Sequence, residues 1–175
     1  MRTHSRQRMA LAGGLAALAL VATACGDDGD ETRTVKAEDY RFEDLPATVD
    51  AGTTFKLTNE SDVEIHEMVM FRLPDGERRS VEELIRLPEE EQGLIFQGEP
   101  AMVLVAPPSG GDQITAVGDG TLTQPGRYAV VCFIPTGADP GAYLSAAQSG
   151  GEGPPDVAGG PPHAFNGMYG QVVVR

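Results

Sequence analysis

The sequence predicts an all-β sandwich that carries two short helical insertions. Apolar residues alternate with polar ones in several short stretches, which is the pattern of half-buried strands. Gly, Pro, Asn and Asp separate these stretches, as expected for turns between strands. A chain of 175 residues that is 41% hydrophobic fits one globular domain.

The amino-terminal segment predicts an export signal over residues 1–24. Arg2, Arg6 and Arg8 form a basic start, and residues 9–22 form an apolar run rich in Ala and Leu. This run is too short to span a bilayer comfortably as a permanent helix. The signal is therefore left out of the fold.

The end of the signal predicts a lipid anchor at Cys25. Residues 21–25 read Val-Ala-Thr-Ala-Cys and resemble the lipobox of bacterial lipoproteins. That resemblance implies that Cys25 becomes the first residue of the mature protein and carries lipid. The acidic, glycine-containing residues that follow predict a flexible tether over residues 25–36. The alternative is an ordinary exported protein in which Cys25 is a free thiol.

The folded domain is predicted to span residues 37–175. Strands in order along the chain are expected at residues 54–58, 65–73, 102–105, 113–117, 127–133 and 169–174, in a set of seven or eight. Residues 59–62 and the Pro74-Asp75-Gly76 segment contain the turn residues that close the first two. The arrangement is that of a sandwich or barrel.

Two insertions interrupt the strands, at about residues 75–99 and 135–162. Ser80 and Glu83 have the spacing of a capping box, which predicts a helix over residues 81–87. In the second insertion, Asp139 can cap a helix that Pro140 begins, so residues 142–148 are expected to be helical. Residues 149–162 are rich in Gly and Pro and predict an irregular loop.

The charge of the chain excludes one class of partner. Its 13 basic and 26 acidic residues give a formal net charge of −13. A surface of this sign repels phosphates, so we expect no nucleic-acid partner. The sequence also has no nucleophile triad, phosphate-binding loop or zinc spacing.

Four side chains at strand ends form a candidate metal site. His66 begins one apolar stretch, Cys132 ends another, and His163 and Met168 precede the last strand. A thiolate, two imidazoles and a weak thioether are the ligands of a type 1 copper site. Such a frame suits both copper(II) and copper(I), so electron transfer needs little rearrangement.

Each of these residues also has a structural interpretation. A single histidine is more often a satisfied structural residue than a ligand, and a lone cysteine is often an inert buried thiol. If Cys25 is lipidated, however, Cys132 would be an unpaired thiol outside the cytoplasm. Such a thiol is reactive unless it is buried or bound to a ligand. Met68 and Met70 share the strand face of His66, and we interpret them as core residues rather than a copper(I) relay.

At these residues the chain resembles the cupredoxins, most closely the plastocyanin and amicyanin type. Residues 64–71 look like the family's first-ligand strand, residues 126–132 like its strand into the cysteine, and residues 162–174 like its closing segment. Residues 50–59 look like its third-strand lead-in. The resemblance covers residues 37–175 without the insertions. It implies a Greek-key β-sandwich that binds one type 1 copper ion through His66, Cys132, His163 and, axially, Met168.

The sequence departs from the family pattern in two places. The family joins its cysteine to its second histidine by a short loop, whereas 30 residues separate Cys132 from His163. Glu67 follows the first histidine, where the family often has an Asn that bonds to the loop near the cysteine. A carboxylate there is expected to change the hydrogen bonds that hold the ligands in position.

The sequence therefore predicts a copper protein that is anchored by lipid to the outer face of the cell membrane. It would carry single electrons as a monomer for an unidentified redox partner. It would not be an enzyme, because multicopper enzymes need further histidine-rich centres and only two histidines follow the signal. The alternatives are a copper(I) chaperone or buffer, and a metal-free interaction module.

Overall fold

The computed structural model describes residues 31–96, 98–148 and 155–175. The helices of this part are α1 (Val81–Ile85), α2 (Glu89–Ile95) and α3 (Pro140–Gln148), and a 3-10 turn covers His163–Asn166. Its strands are β1 (Thr32–Glu38), β2 (Arg41–Glu43), β3 (Thr48–Val49), β4 (Thr53–Asn59), β5 (His66–Arg72), β6 (Met102–Ala106), β7 (Ile114–Val117), β8 (Thr121–Leu122), β9 (Gly126–Val131) and β10 (Tyr169–Val174).

The strands form two sheets. One has four strands in the order β2-β1-β4-β8, and the other has six in the order β3-β10-β9-β5-β6-β7. The pairs β1–β4 and β3–β10 are parallel, and the other pairs are antiparallel. The predicted all-β, two-sheet architecture with a few short helices is confirmed.

The main core lies between the two sheets. Alternate residues of β4 point into it because successive side chains of a strand point to opposite faces. Met68 and Met70 of β5 are fully buried in this core, as the sequence predicted. The core also contains Phe55, Leu57, Tyr128, Val130, Cys132 and Met168.

The first insertion covers the outer face of the six-stranded sheet. Helix α1 begins at the predicted capping box, in which the Glu83 amide donates to Ser80 Oγ and the Ser80 amide donates to Glu83 Oε2. Its Leu84 and Ile85 are buried in a second apolar cluster with Ala129 of β9. The central strands are therefore buried on both faces, which explains why residues 68–71 of β5 and 128–131 of β9 are continuous apolar runs rather than strictly alternating ones.

The structure corrects two boundaries and adds a helix. Strand β1 begins at Thr32 and pairs with β4, so residues 32–36 belong to the sheet and not to the expected tether. Helix α1 ends at Ile85 rather than at residue 87. Residues 89–95 form a separate helix, α2, that was not predicted from the sequence.

The second insertion contains the predicted helix, two residues longer than expected. Helix α3 starts at Pro140, and Asp139 Oδ1 accepts the Ala142 amide hydrogen at 2.7 Å. Residues 155–162 are irregular, as predicted.

Some of the sequence predictions lie outside the described residues: the signal, Cys25, the first part of the tether and residues 149–154. Within the described ranges, no helix has the length and apolar character needed to cross a membrane.

Candidate metal centre

His66 is held in place by its strand and by the turn before it. It is the first residue of β5 and pairs with Ala106 of β6. The buried Asn59 side chain donates to the carbonyl oxygens of Glu64 and Ala106 at 2.8 and 2.9 Å. Because these contacts fix the turn of residues 60–65, the imidazole of His66 enters the core at a defined position.

Cys132 lies one residue beyond β9 and is fixed through its backbone. Its amide donates to the Met168 carbonyl at 3.2 Å, and its own carbonyl accepts the Ala164 amide hydrogen at 3.0 Å. The next amide, that of Phe133, donates to Glu67 Oε1 at 3.0 Å. The thiol is thus held between the strand that carries His66 and the segment that carries His163.

The 30-residue separation of Cys132 and His163 is closed by a short neck. We use neck for the paired residues 134–136 and 159–163. The Thr136 amide donates to the Pro161 carbonyl at 3.1 Å, and the His163 amide donates to the Ile134 carbonyl at 2.9 Å. The insertion therefore leaves the site and returns to it at nearly the same place, so its length does not separate His163 from Cys132.

A single tight turn carries His163 and Met168. The 3-10 turn covers His163–Asn166, and Gly167 follows it with a φ of 114°, a conformation that favours glycine. The Met168 amide donates to the His163 carbonyl at 3.1 Å, and the Met168 side chain is fully buried.

Three of the predicted ligands converge in this structure. His66 Nδ1 lies 3.1 Å from His163 Nδ1, and Cys132 Sγ lies 3.5 Å from His163 Nδ1. All three ligand atoms lie within 4.8 Å of one another, and all three residues are fully buried. Metal ligands at about 2.0–2.3 Å, the distances known for zinc, are separated by about 3.5 Å in a trigonal arrangement. The donor atoms therefore fit one small, soft metal ion.

The protonation of the site suits metal binding. Burial, and after it the neighbouring His163, lowers the pKa of His66 to about 4, so this imidazole is neutral at pH 7. Burial also lowers the pKa of His163, against the opposing effect of Glu64. Burial is the largest cause of a raised pKa at Cys132, so the metal-free thiol is protonated. A bound metal must therefore displace this proton.

Two residues that the sequence did not indicate cover His163. The Tyr40 ring packs edge-on against the imidazole with centroids 5.1 Å apart, and Glu64 Oε2 lies 3.4 Å from His163 Nε2. Among the described residues, the buried Nε2 atoms of His66 and His163 have no partner with hydrogen-bond geometry. Tyr40 lies in the turn between β1 and β2 with a φ of 65°, a conformation that no sequence rule assigns to tyrosine.

These positions match the cupredoxin type of sandwich. One histidine begins a central strand, the cysteine follows the neighbouring strand, and the second histidine and the methionine precede the last strand.

Comparisons with known proteins find only distant likenesses. No protein-family model and no curated protein matches the chain. Dithionite-reduced auracyanin from the photosynthetic bacterium Roseiflexus castenholzii is 18% identical over 82% of this chain and 96% of that chain, with a TM-score of 0.45. Auracyanin A, a "blue" copper protein from Chloroflexus aurantiacus, is 16% identical over 82% and 98% of the two chains, with a TM-score of 0.43. Auracyanin B is 16% identical over 83% and 88%, with a TM-score of 0.33.

Such distant likenesses do not decide the chemistry, which rests on the side chains described above.

The copper-free protein is expected to lose stability as the pH falls from about 6.5 to about 4. In this range the unfolded chain binds a proton that the buried His66, with its lowered pKa, does not bind. The contribution of His66 is therefore complete above pH 6.5 and is lost as the pH falls through its folded-state pKa. Urea unfolding across this range measures the effect. A His66→Leu variant that loses stability as steeply as the wild type would contradict it.

Proposed function

We propose that this chain is a type 1 copper protein of the cupredoxin kind that carries single electrons. The observation that carries the proposal is the convergence of His66 Nδ1, His163 Nδ1 and Cys132 Sγ in a fully buried cluster. These residues would bind one copper ion, with Met168 as a weak axial ligand. The copper would supply a reversible one-electron couple between copper(II) and copper(I).

The residues around the cluster suit a carrier because they limit movement and exclude water. Backbone hydrogen bonds hold both Cys132 and His163 in place. A frame that does not rearrange is what fast one-electron exchange needs. The complete burial of all three ligands argues for a retained ion and against the rapid exchange that a copper(I) chaperone requires.

The proposed setting is the outer face of the cell membrane. The signal-like residues 1–24 and the lipobox-like residues 21–25 support a lipid on Cys25, which would confine the carrier near membrane-bound redox partners. We propose a monomer without nucleic-acid partner or enzymatic activity.

Replacing Cys25 by serine is expected to move the protein from the membrane fraction to the soluble fraction. Retention in the membrane fraction would contradict the anchor.

Copper titration of the purified full chain tests the proposed function. We expect an intense blue thiolate-to-copper band that saturates at one copper per chain, together with reversible one-electron voltammetry. A colourless protein whose melting temperature does not respond to copper would support a metal-free module instead. Rapid transfer of copper(I) to an acceptor, without reversible voltammetry, would support a chaperone.

A further inference from the structure

Glu67 is a carboxylate buried beside the candidate metal centre. It follows His66 in β5, and its residue is only 4% exposed. Its side chain lies on the strand face opposite to His66, because neighbouring residues of a strand point to opposite faces. Burying a carboxyl group costs free energy unless the group is well hydrogen-bonded. The hydrogen-bond partners of Glu67 therefore help to fix the local structure.

The two oxygens of Glu67 bind two different segments of the chain. Oε1 accepts the Phe133 amide hydrogen at 3.0 Å, and Oε2 accepts the Tyr143 hydroxyl hydrogen at 2.7 Å. Phe133 directly follows Cys132, whereas Tyr143 belongs to helix α3 of the second insertion. One carboxylate thus connects the histidine strand, the cysteine segment and the insertion.

Helix α3 is held firmly at this contact. The Tyr143 residue is 2% exposed and belongs to the main core cluster. A second carboxylate on the other side of His66 makes a similar contact, because both oxygens of Glu64 lie 3.1–3.2 Å from the Gly137 amide nitrogen, which donates to them. The start of the insertion is therefore tied to both sides of the first histidine.

We propose that Tyr143 is a positioning residue for Cys132, so that helix α3 is part of the metal centre. Its hydroxyl fixes the Glu67 carboxylate, and the carboxylate fixes the Phe133 amide next to Cys132. Removing the hydroxyl leaves a buried carboxylate oxygen without its donor, which loosens the segment that carries the thiol. The expected effect on the copper spectrum and reduction potential rests on the proposed function. The expected effect on the reactivity of the metal-free Cys132 thiol does not.

Cysteine labelling of the metal-free full chain tests this proposal. We expect Tyr143→Phe to increase the labelling rate of Cys132 about tenfold, because leaving a buried acceptor without its donor typically costs that factor or more. Peptide mass spectrometry separates Cys132 from Cys25. In copper-loaded protein, the same variant is expected to shift the thiolate-to-copper band and the reduction potential.

Tyr128→Phe is a matched control. Tyr128 is equally buried, and its hydroxyl donates to the Gln124 carbonyl at 2.8 Å, near the opposite end of β9. Its loss is expected to lower stability without speeding Cys132 labelling beyond what the change in the free energy of unfolding explains. If Tyr143→Phe labels Cys132 no faster than this control after that correction, the proposal is wrong.

A double-mutant cycle checks the route through Glu67. If Tyr143 acts through the carboxylate, the effects of Glu67→Gln and Tyr143→Phe on the labelling rate are expected to be non-additive. Additive effects would contradict the route. A wild-type protein without a blue band would overturn the proposed function, while the labelling comparison would still decide the role of Tyr143.

Discussion

Replacing Cys132 by alanine is expected to abolish the blue band and the stabilisation by copper. In the proposed copper site, the thiolate would supply both the charge-transfer absorption and the ligand that selects a soft metal. In the wild type, free copper at about 1,000 times its dissociation constant is expected to stabilise the native state by about 4 kcal/mol. For a domain of this size that is a rise of about 10 °C in melting temperature, which the variant should lack.

Val130→Ala provides the control for this prediction. Val130 of β9 lies two residues before Cys132, and both residues are fully buried in the same core. Its truncation is expected to cost stability of about 1–3 kcal/mol through the cavity, yet to leave the band and the copper-induced stabilisation in place. A Cys132→Ala protein that still showed the copper-induced rise would mean that the ion binds elsewhere.

Gly159→Ala is expected to open the neck and to weaken copper binding strongly. A Cβ at this position would lie 2.5 Å from Pro135 Cβ and 3.0 Å from the Thr136 carbonyl oxygen. Neither atom belongs to a flexible side-chain end, so the two sides of the neck must separate, at a cost of about 1–3 kcal/mol. Because His163 lies four residues further on, we expect copper affinity to fall about 10-fold to 100-fold, as for other changes in ligand support.

The neighbouring glycine is a close control. A Cβ on Gly160 would lie 3.5 Å from Thr136 Cβ, which is an ordinary van der Waals contact. Gly160→Ala is therefore expected to bind copper like the wild type. Isothermal titration with copper compares the two variants, and equal affinities for Gly159→Ala and the wild type would show that the neck does not position His163.

Local patterns of the sequence were sufficient for much of the fold. The alternation around Phe55 and Leu57 predicted β4, and the capping residues Ser80 and Asp139 predicted the starts of α1 and α3. These signals are local because a side chain caps the amide groups of its own first turn. The short strands β2, β3 and β8 lack such a signal, since two or three residues are too few to show a period.

The side chains that surround the ligands and hold them in position were less predictable. Glu67 was recognised as a departure from the family pattern, but nothing in the sequence connects it to Tyr143, which lies 76 positions away. Tyr40 and Glu64 also reach His163 only because the turns that carry them meet at one end of the sandwich. Contacts of this kind depend on how strands are ordered in the sheets, which local periodicity does not specify.

The sequence by itself determined the candidate ligands and their order, because few residue types can bind copper and each of these residues lies at or near the end of a predicted strand. Only the tertiary structure decided that His66, Cys132 and His163 meet. Thirty residues lie between Cys132 and His163, and the length of a loop does not say where its ends lie. The neck, the buried carboxylates and the packing of helix α3 bring those ends together, since hydrogen bonds in a buried, low-dielectric environment are costly to break.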